Sequence, residues 1–331
     1  CSPLLILGRD AGLFYRASWG PSRKPHAQWC WPVCLSGIFG SAFTHESGSE
    51  VRKSVNVSPE ITLTVSSVQA FFINLDSRAD RRAFIEAQLA RVGLQADRLS
   101  AVSPATLTIS PINTGHPEMA VRGAMTQSEL ACLESHAKLW SRAASTEDLT
   151  LILEDDVVLS NHVAAFLATL RPDPTWDVLR LETNFHTVRL SGDVTVINGV
   201  EARRLMQPQS GAGAYVLTPK AAQAYLSSRH LWGVPADTMV LSPPHAYQLR
   251  VFQLLPALST HLEQLNGQEP NTVAVSEIGK TRKVIVERAN IRSNRLTRLL
   301  RQVASVLGLL RWFSPSAVLR SRRMHVPFDP S

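Results

Sequence analysis

Nowhere in the 331 residues does an uninterrupted apolar run reach the ~18 positions that a membrane-spanning helix needs. Cysteine is scarce: Cys1, Cys30, Cys34 and Cys132 are too few to staple a chain of this length, which excludes a disulfide scaffold and favours a reducing compartment. The Cys30 and Cys34 pair has no second Cys or His pair spaced to complete a zinc site. Glycine and proline, at 17 and 20 residues, are too few for a collagen-like chain, and 44% hydrophobic residues exclude a wholly disordered one. Acidic residues are nearly missing from one region. Between Lys280 and Arg323 Glu287 stands alone against twelve Lys or Arg, so the net charge of +7 belongs to the tail and the remainder is slightly acidic. A cationic, leucine-bearing tail on such a body points to an anionic membrane surface rather than to nucleic acid.

Residues 1–67 lack sustained periodicity and carry Gly20, Pro21, Pro25, Pro32, Gly37, Gly40, Gly48 and Pro59 in quick succession. They read as an N-terminal extension, disordered or upstream of the natural start. Arg23 and Lys24 precede a patchy apolar stretch, but Pro32 and two glycines interrupt any signal-peptide core. From Val68 the pattern changes. VQAFFINL is a short β-rich run, and Ala83, Phe84, Ala87, Leu89, Ala90 and Val92 then give a helix one apolar side that Gly93 stops. Ser77 and Asp80 have the spacing of a capping box. A second helix is expected over Thr126–Ala144, a buried strand over LTLILEDD and a helix over His162–Leu170. Strands follow over Asp177–Glu182, in the alternating stretch Asp193–Leu205 and over Gly213–Thr218, then a helix opened by Pro219. This alternation predicts an α/β sheet between helices.

Glu154, Asp155 and Asp156 stand where an apolar strand ends, the edge at which open α/β sheets collect ligands. Alternation sends Glu154 and Asp156 to one side and Asp155 to the other, so two carboxylates can approach one Mg²⁺ or Mn²⁺ ion. A solvated acidic loop is the plainer alternative. A phospho-acceptor receiver domain also carries such a pair, but Asp177 begins its strand instead of ending it, and Lys220 follows Pro219 at a helix start. Gly211 and Gly213 precede a strand and lack the third glycine of a dinucleotide fingerprint. Glu129, Cys132, His136 and Trp140 share one helix face; core packing and a site role for Glu129 and His136 weigh equally, and nothing supports Cys132 as a nucleophile. Leu296, Leu299, Leu300, Val303, Val306, Leu307 and Leu310 recur at three or four among Arg292, Arg295, Arg298, Arg301 and Arg311, which predicts an amphipathic helix lying on a membrane or packed on the body.

Several separated segments resemble glycosyltransferase family 25, the lipopolysaccharide and lipooligosaccharide biosynthesis transferases. They are FFINLDSRADRR, TQSELACLESHAKLW, LILEDDVVL, WDVLRLE, SGAGAYVLTPKAA and VPADTMV, in that order. Ser128 and Leu130 replace glycines that usually flank the family's Glu, and AVSPAT replaces an expected Asp-Gly. The resemblance implies a GT-A-like fold, a Rossmann-like mixed sheet flanked by helices, over residues 68–265, with residues 266–331 as a basic tail. It implies divalent-metal-dependent transfer of a hexose, galactose in the first instance, from a UDP-sugar to a glycolipid acceptor at the cytoplasmic face of the inner membrane. Asp156 with Glu154 would hold Mn²⁺ or Mg²⁺, and a late histidine, His245 or His261, would join them. Asn74, Leu75, Arg78, Arg81, Glu154 and Asp155 would meet the nucleotide. Asp237 is implied as the base that takes the acceptor proton, with Glu129 and Glu182 as rivals. A non-enzymatic, membrane-associated regulator built on a receiver-like acidic pocket is the alternative from another class.

Overall fold

A computed structural model describes residues 68–107, 125–228, 233–241, 249–265, 310 and 313–331. The expected extension 1–67, His245 and nearly all of the amphipathic segment lie outside them. The described chain runs β1 (Val68–Asn74), α1 (Ala79–Val92), β2 (Asp97–Ser100), α2 (Gln127–Ala143), β3 (Leu149–Glu154), β4 (Val157–Leu159), α3 (Val163–Thr169), β5 (Val178–Arg180), β6 (Glu182–Thr183) and β7 (Thr187–Leu190). It continues with β8 (Thr195–Ile197), β9 (Val200–Arg204), β10 (Ala214–Leu217), α4 (Pro219–Ser227), α5 (Ala236–Leu241), β11 (Val251–Leu255), β12 (Ser259–His261), α6 (Leu262–Leu265), α7 (Pro315–Arg320) and β13 (Arg322–His325).

Eight strands form one mixed sheet in the order β2-β1-β3-β10-β5-β11-β9-β8. β1 lies parallel to β2 and β3, whereas β10 runs antiparallel between β3 and β5. That reversed central strand is foreign to the all-parallel order of a receiver domain and removes the fold on which the regulator alternative rested. The expected GT-A-like class, a Rossmann-like mixed sheet flanked by helices, holds. Because side chains alternate along a strand, β3 divides its burial: Leu149, Leu151 and Leu153 join one apolar cluster with Ile85, Phe166 and Leu167 of α1 and α3. Ile152 joins the other, with Trp140, Tyr215 and Tyr225. Burying each such side chain contributes about 1.5–3 kcal/mol. The same alternation puts Glu154 on the α2 side.

Local rules account for the element ends. Thr126 Oγ1 accepts from Glu129 N while the Glu129 carboxylate accepts from Thr126 N, a reciprocal cap on α2. The cap expected at Ser77 is absent: Arg78 precedes α1 with no side-chain cap, and Asp80 pairs with the Arg78 guanidinium instead. The buried side of α1 is carried by Ile85 and Leu89, and Gly93 closes it in the left-handed conformation. The alternating stretch from Asp193 is a hairpin, β8 and β9, turning at Asn198 (φ 51°) and Gly199 (φ 82°).

A small sheet, β4-β12-β6, lies beyond the end of β3. Its register sets His261 opposite Val157 and Ser259 beside Glu182. Residues 313–331 are part of the body, which corrects the tail drawn from residue 266. β13 pairs antiparallel with β7, Thr183 Oγ1 donates to Val326 O at 2.8 Å, and the Asp329 carboxylate meets His162 Nδ1 at 2.9 Å. Among the described residues no helix is long and apolar enough to cross a membrane.

Candidate active site

A cavity of about 330 Å³ opens where β1 and β3 end. Leu75, Arg78 and Arg81 line one wall, Val102 to Pro104 a second, Ser128, Cys132 and His136 of α2 a third, and Glu154, Asp155 and Asp156 the floor. The parallel pairing of β1 with β3 sets Ile73 opposite Glu154, which brings Asn74 beside the acidic turn. Asn74 is buried; its Nδ2 donates to Asp155 Oδ2 at 2.8 Å and to Arg78 O at 3.0 Å. Arg81 Nη1 lies 3.0 Å from both Asp155 Oδ1 and Asp156 Oδ2. Asn74 thus holds the turn, and Arg81 neutralises two adjacent acids that burial would otherwise penalise.

His261 reaches this floor through the small sheet. Its Nδ1 lies 3.0 Å from Asp156 Oδ1 and its Nε2 3.3 Å from Glu182 Oε1. Leu262 N donates to Asp156 O at 2.9 Å, locking strand to turn. Burial pushes the His261 pKa down, but the carboxylates of Glu182 and Asp156 overcome it and hold the imidazole well above its usual range. Burial conversely raises Asp156, yet His261 and Arg81 bring it below the ordinary carboxylate value. Asp155, held mainly by burial, stays raised. One ligand atom each from Glu154, Asp156 and His261 lie within 4.8 Å of one another. Two carboxylate oxygens and, once the ion displaces its proton, an imidazole nitrogen suit a divalent ion such as Mn²⁺.

Glu182 is completely buried behind His261. Its Oε2 accepts from Gly213 N at 2.5 Å, and Arg180 Nη2 is 3.7 Å from Oε1. The two glycines of SGAG now have a physical reason. A Cβ at Gly211, whose φ is 87°, would stand 2.2 Å from Glu182 Oε1; one at Gly213 would stand 2.8 Å from the His261 ring. Neither glycine needs a dinucleotide.

The two carboxylates expected to do acid–base work are engaged elsewhere. Glu129 spends its carboxylate on the α2 cap, and Asp237 accepts from Gly211 N at 3.3 Å and Thr238 N at 2.7 Å. Neither lines the cavity. Burial, reinforced by Glu154, pushes the Cys132 thiol well above its usual pKa, so it stays protonated and poorly nucleophilic. Glu182 and Gly213 escaped the sequence as positioning groups. The signal available was small residues packed ahead of a buried strand.

The sequence profile of glycosyltransferase family 25, described as LPS biosynthesis protein, matches residues 68–240. The lacto-N-neotetraose biosynthesis glycosyltransferase LgtB of Neisseria gonorrhoeae is 29% identical over 205 residues, 58% of this chain and 73% of that one. LgtE of Neisseria meningitidis serogroup B is 26% identical over 65% of this chain and 82% of its own. The lipooligosaccharide biosynthesis protein lex-1 of Haemophilus influenzae is 25% identical over 57% and 67%. A solved glycosyltransferase involved in glycosylating the major capsid of PBCV-1 aligns at 10% identity and TM-score 0.34, covering 66% of this chain and 98% of that one.

Proposed function

The chain belongs to glycosyltransferase family 25 and is a transferase, and from that premise we propose that it moves a hexose from a UDP-sugar to a lipopolysaccharide or lipooligosaccharide acceptor, with UDP-galactose the first donor to test. The observation that carries this reading is the convergence of Glu154, Asp156 and His261, the first two of which line the cavity floor. A divalent ion bound there would act as a Lewis acid toward the departing diphosphate. The residues fit such an ion by their oxygen and nitrogen donors and by their shared orientation. Asn74 fixes the turn from below, and Arg81 balances the charge of Asp155 and Asp156. Arg78, Leu75 and the backbone of Val102 to Pro104 border the space that the nucleoside would fill.

The acceptor assignment follows the relatives, whose names place them in lacto-N-neotetraose and lipooligosaccharide biosynthesis. The basic segment from Lys280 to Arg311 would bring the body to the anionic membrane that carries such an acceptor, at about 1 kcal/mol per basic residue near the surface.

Calorimetry with UDP, in Mn²⁺ and in chelator, tests the core of this reading. Binding that requires Mn²⁺ and disappears in Asp156→Ala is the expected result. Metal-independent binding, or none by the folded protein, would overturn it.

A further inference from the structure

Glu154 belongs to two potential ligand groups. One contains Asp156 and His261; the other contains Cys132 and His136 on α2. The hydrogen bonds around His136 decide between them, and they do so through protons rather than distances.

Trp140 Nε1 can only donate, and it points at Tyr215 Oη from 2.9 Å. Tyr215 Oη is also 2.9 Å from His136 Nδ1. Tyr215 is wholly buried, as are His136 and Trp140. A hydroxyl that accepts from Trp140 still has its own proton to place, and His136 Nδ1 is the acceptor within reach. If Nδ1 carried hydrogen, the tyrosine proton would be stranded in an apolar core, at a cost of about 1–3 kcal/mol. Nδ1 is therefore bare and Nε2 carries the proton. Nε2 lies 3.4 Å from Glu154 Oε1, to which it donates.

The three rings are held by packing as well. His136 and Tyr215 stack with centroids 5.9 Å apart, and Trp140 tilts against Tyr225 at 4.9 Å. Trp140 and His136 are four residues apart on α2, and Tyr215 comes from β10, the strand beside β3.

We infer that Trp140 and Tyr215 lock His136 as its Nε2–H tautomer, which makes His136 a positioning residue for Glu154 and bars it from binding metal itself. Both ring nitrogens are committed: one lone pair faces Tyr215, and the other nitrogen bears hydrogen. The Cys132 group then lacks a nitrogen donor, and Glu154 is steered toward Asp156 and His261. Glu154 is fixed from the other side by its own N–H, which donates to Gly213 O at 2.8 Å. A carboxylate tethered at backbone and side chain presents its remaining oxygen in one direction, the outer-shell arrangement by which ligands are oriented. This inference rests on the cation site proposed above.

Two measurements on the full chain test it. Long-range ¹H–¹⁵N correlation spectra at neutral pH, with His136 assigned by its absence from His136→Gln, report which nitrogen carries hydrogen. Protonated Nε2 with bare Nδ1 is expected; the opposite tautomer or a doubly protonated ring would overturn the inference. Mn²⁺ affinity is then compared in His136→Gln, whose amide can still donate to Glu154, and His136→Leu, which fills the space without a donor. Leucine should weaken Mn²⁺ binding by roughly 10–100-fold while glutamine retains most of it. Equal affinities in the two variants, with matching thermal stability, would show that His136 merely packs. If the wild-type chain binds no Mn²⁺, the cation reading fails, and the tautomer spectrum still passes or fails the proton assignment on its own.

Discussion

Gly213 and His261 are in such close approach that a methyl group on the glycine would stand 2.8 Å from two atoms of the imidazole. Gly213→Ala must therefore displace the ring or the strand behind it, a kind of overpacking that costs about 1–3 kcal/mol. Mn²⁺-dependent UDP affinity should fall about tenfold or more, as for the loss of an outer-shell support. Calorimetry beside a thermal melt checks this. Unchanged affinity would remove His261 from the ion's surroundings.

Arg81 is the counter-charge of Asp155 and Asp156. Arg81→Gln should destabilise the metal-free protein by about 3 kcal/mol, because buried Asp155 loses its cation and Asp156 is left with His261 alone. Added Mn²⁺ should raise the Tm of this variant more than that of the wild type, since the ion takes over the lost charge as well as binding. Equal increments in the two proteins would contradict the assignment.

Asp177, buried at the start of β5, offers a pH test away from the site. Burial alone would raise its pKa, but hydrogen bonds from Arg250 and Lys220 outweigh it and leave the group below its ordinary 3.8. A depressed carboxyl stabilises the fold fully above the unfolded value, and that stability is lost as pH falls through the folded value. Asp177→Asn should thus be less stable than wild type at pH 7. Denaturant titrations should show the gap closing below about pH 4; a gap that is the same at both ends would mean the carboxylate contributes no charge.

Removal of residues 322–331 strips β13 from β7 and the acceptor at Val326 from Thr183, the neighbour of Glu182. The truncated chain should melt at lower temperature and bind Mn²⁺ more weakly than the full one. A lower melting point with unaltered Mn²⁺ affinity would separate this clasp from the site.

Much of the frame was legible because local patterns agreed with the fold. LTLILE is apolar on both faces because β3 is central and covered on both sides, and Gly93 and Pro219 mark helix ends by backbone conformation alone. The Asn198–Gly199 turn was missed, because strand alternation on both sides masked it. His261 could not be told from His245, because its arrival beside Asp156 depends on β12 pairing with β4 across about a hundred residues of chain. Glu129 serves the α2 cap, a use that a glutamate in the first turn of a helix has as readily as a reaction. The carboxylate of Asp237 accepts from the Gly211 turn, a contact that sequence spacing does not show.

The burial of Phe313 against Met206, under the Arg204 guanidinium, has a consequence for the basic segment. Leu265 ends α6 and Phe313 is buried on the body, so the described chain on both sides of the basic segment belongs to the body. Cutting the chain before Arg292 would remove the clasp along with the charges and confound attachment with unfolding. Charge reversal of Arg292, Arg295, Arg298 and Arg301 in the intact chain isolates attachment.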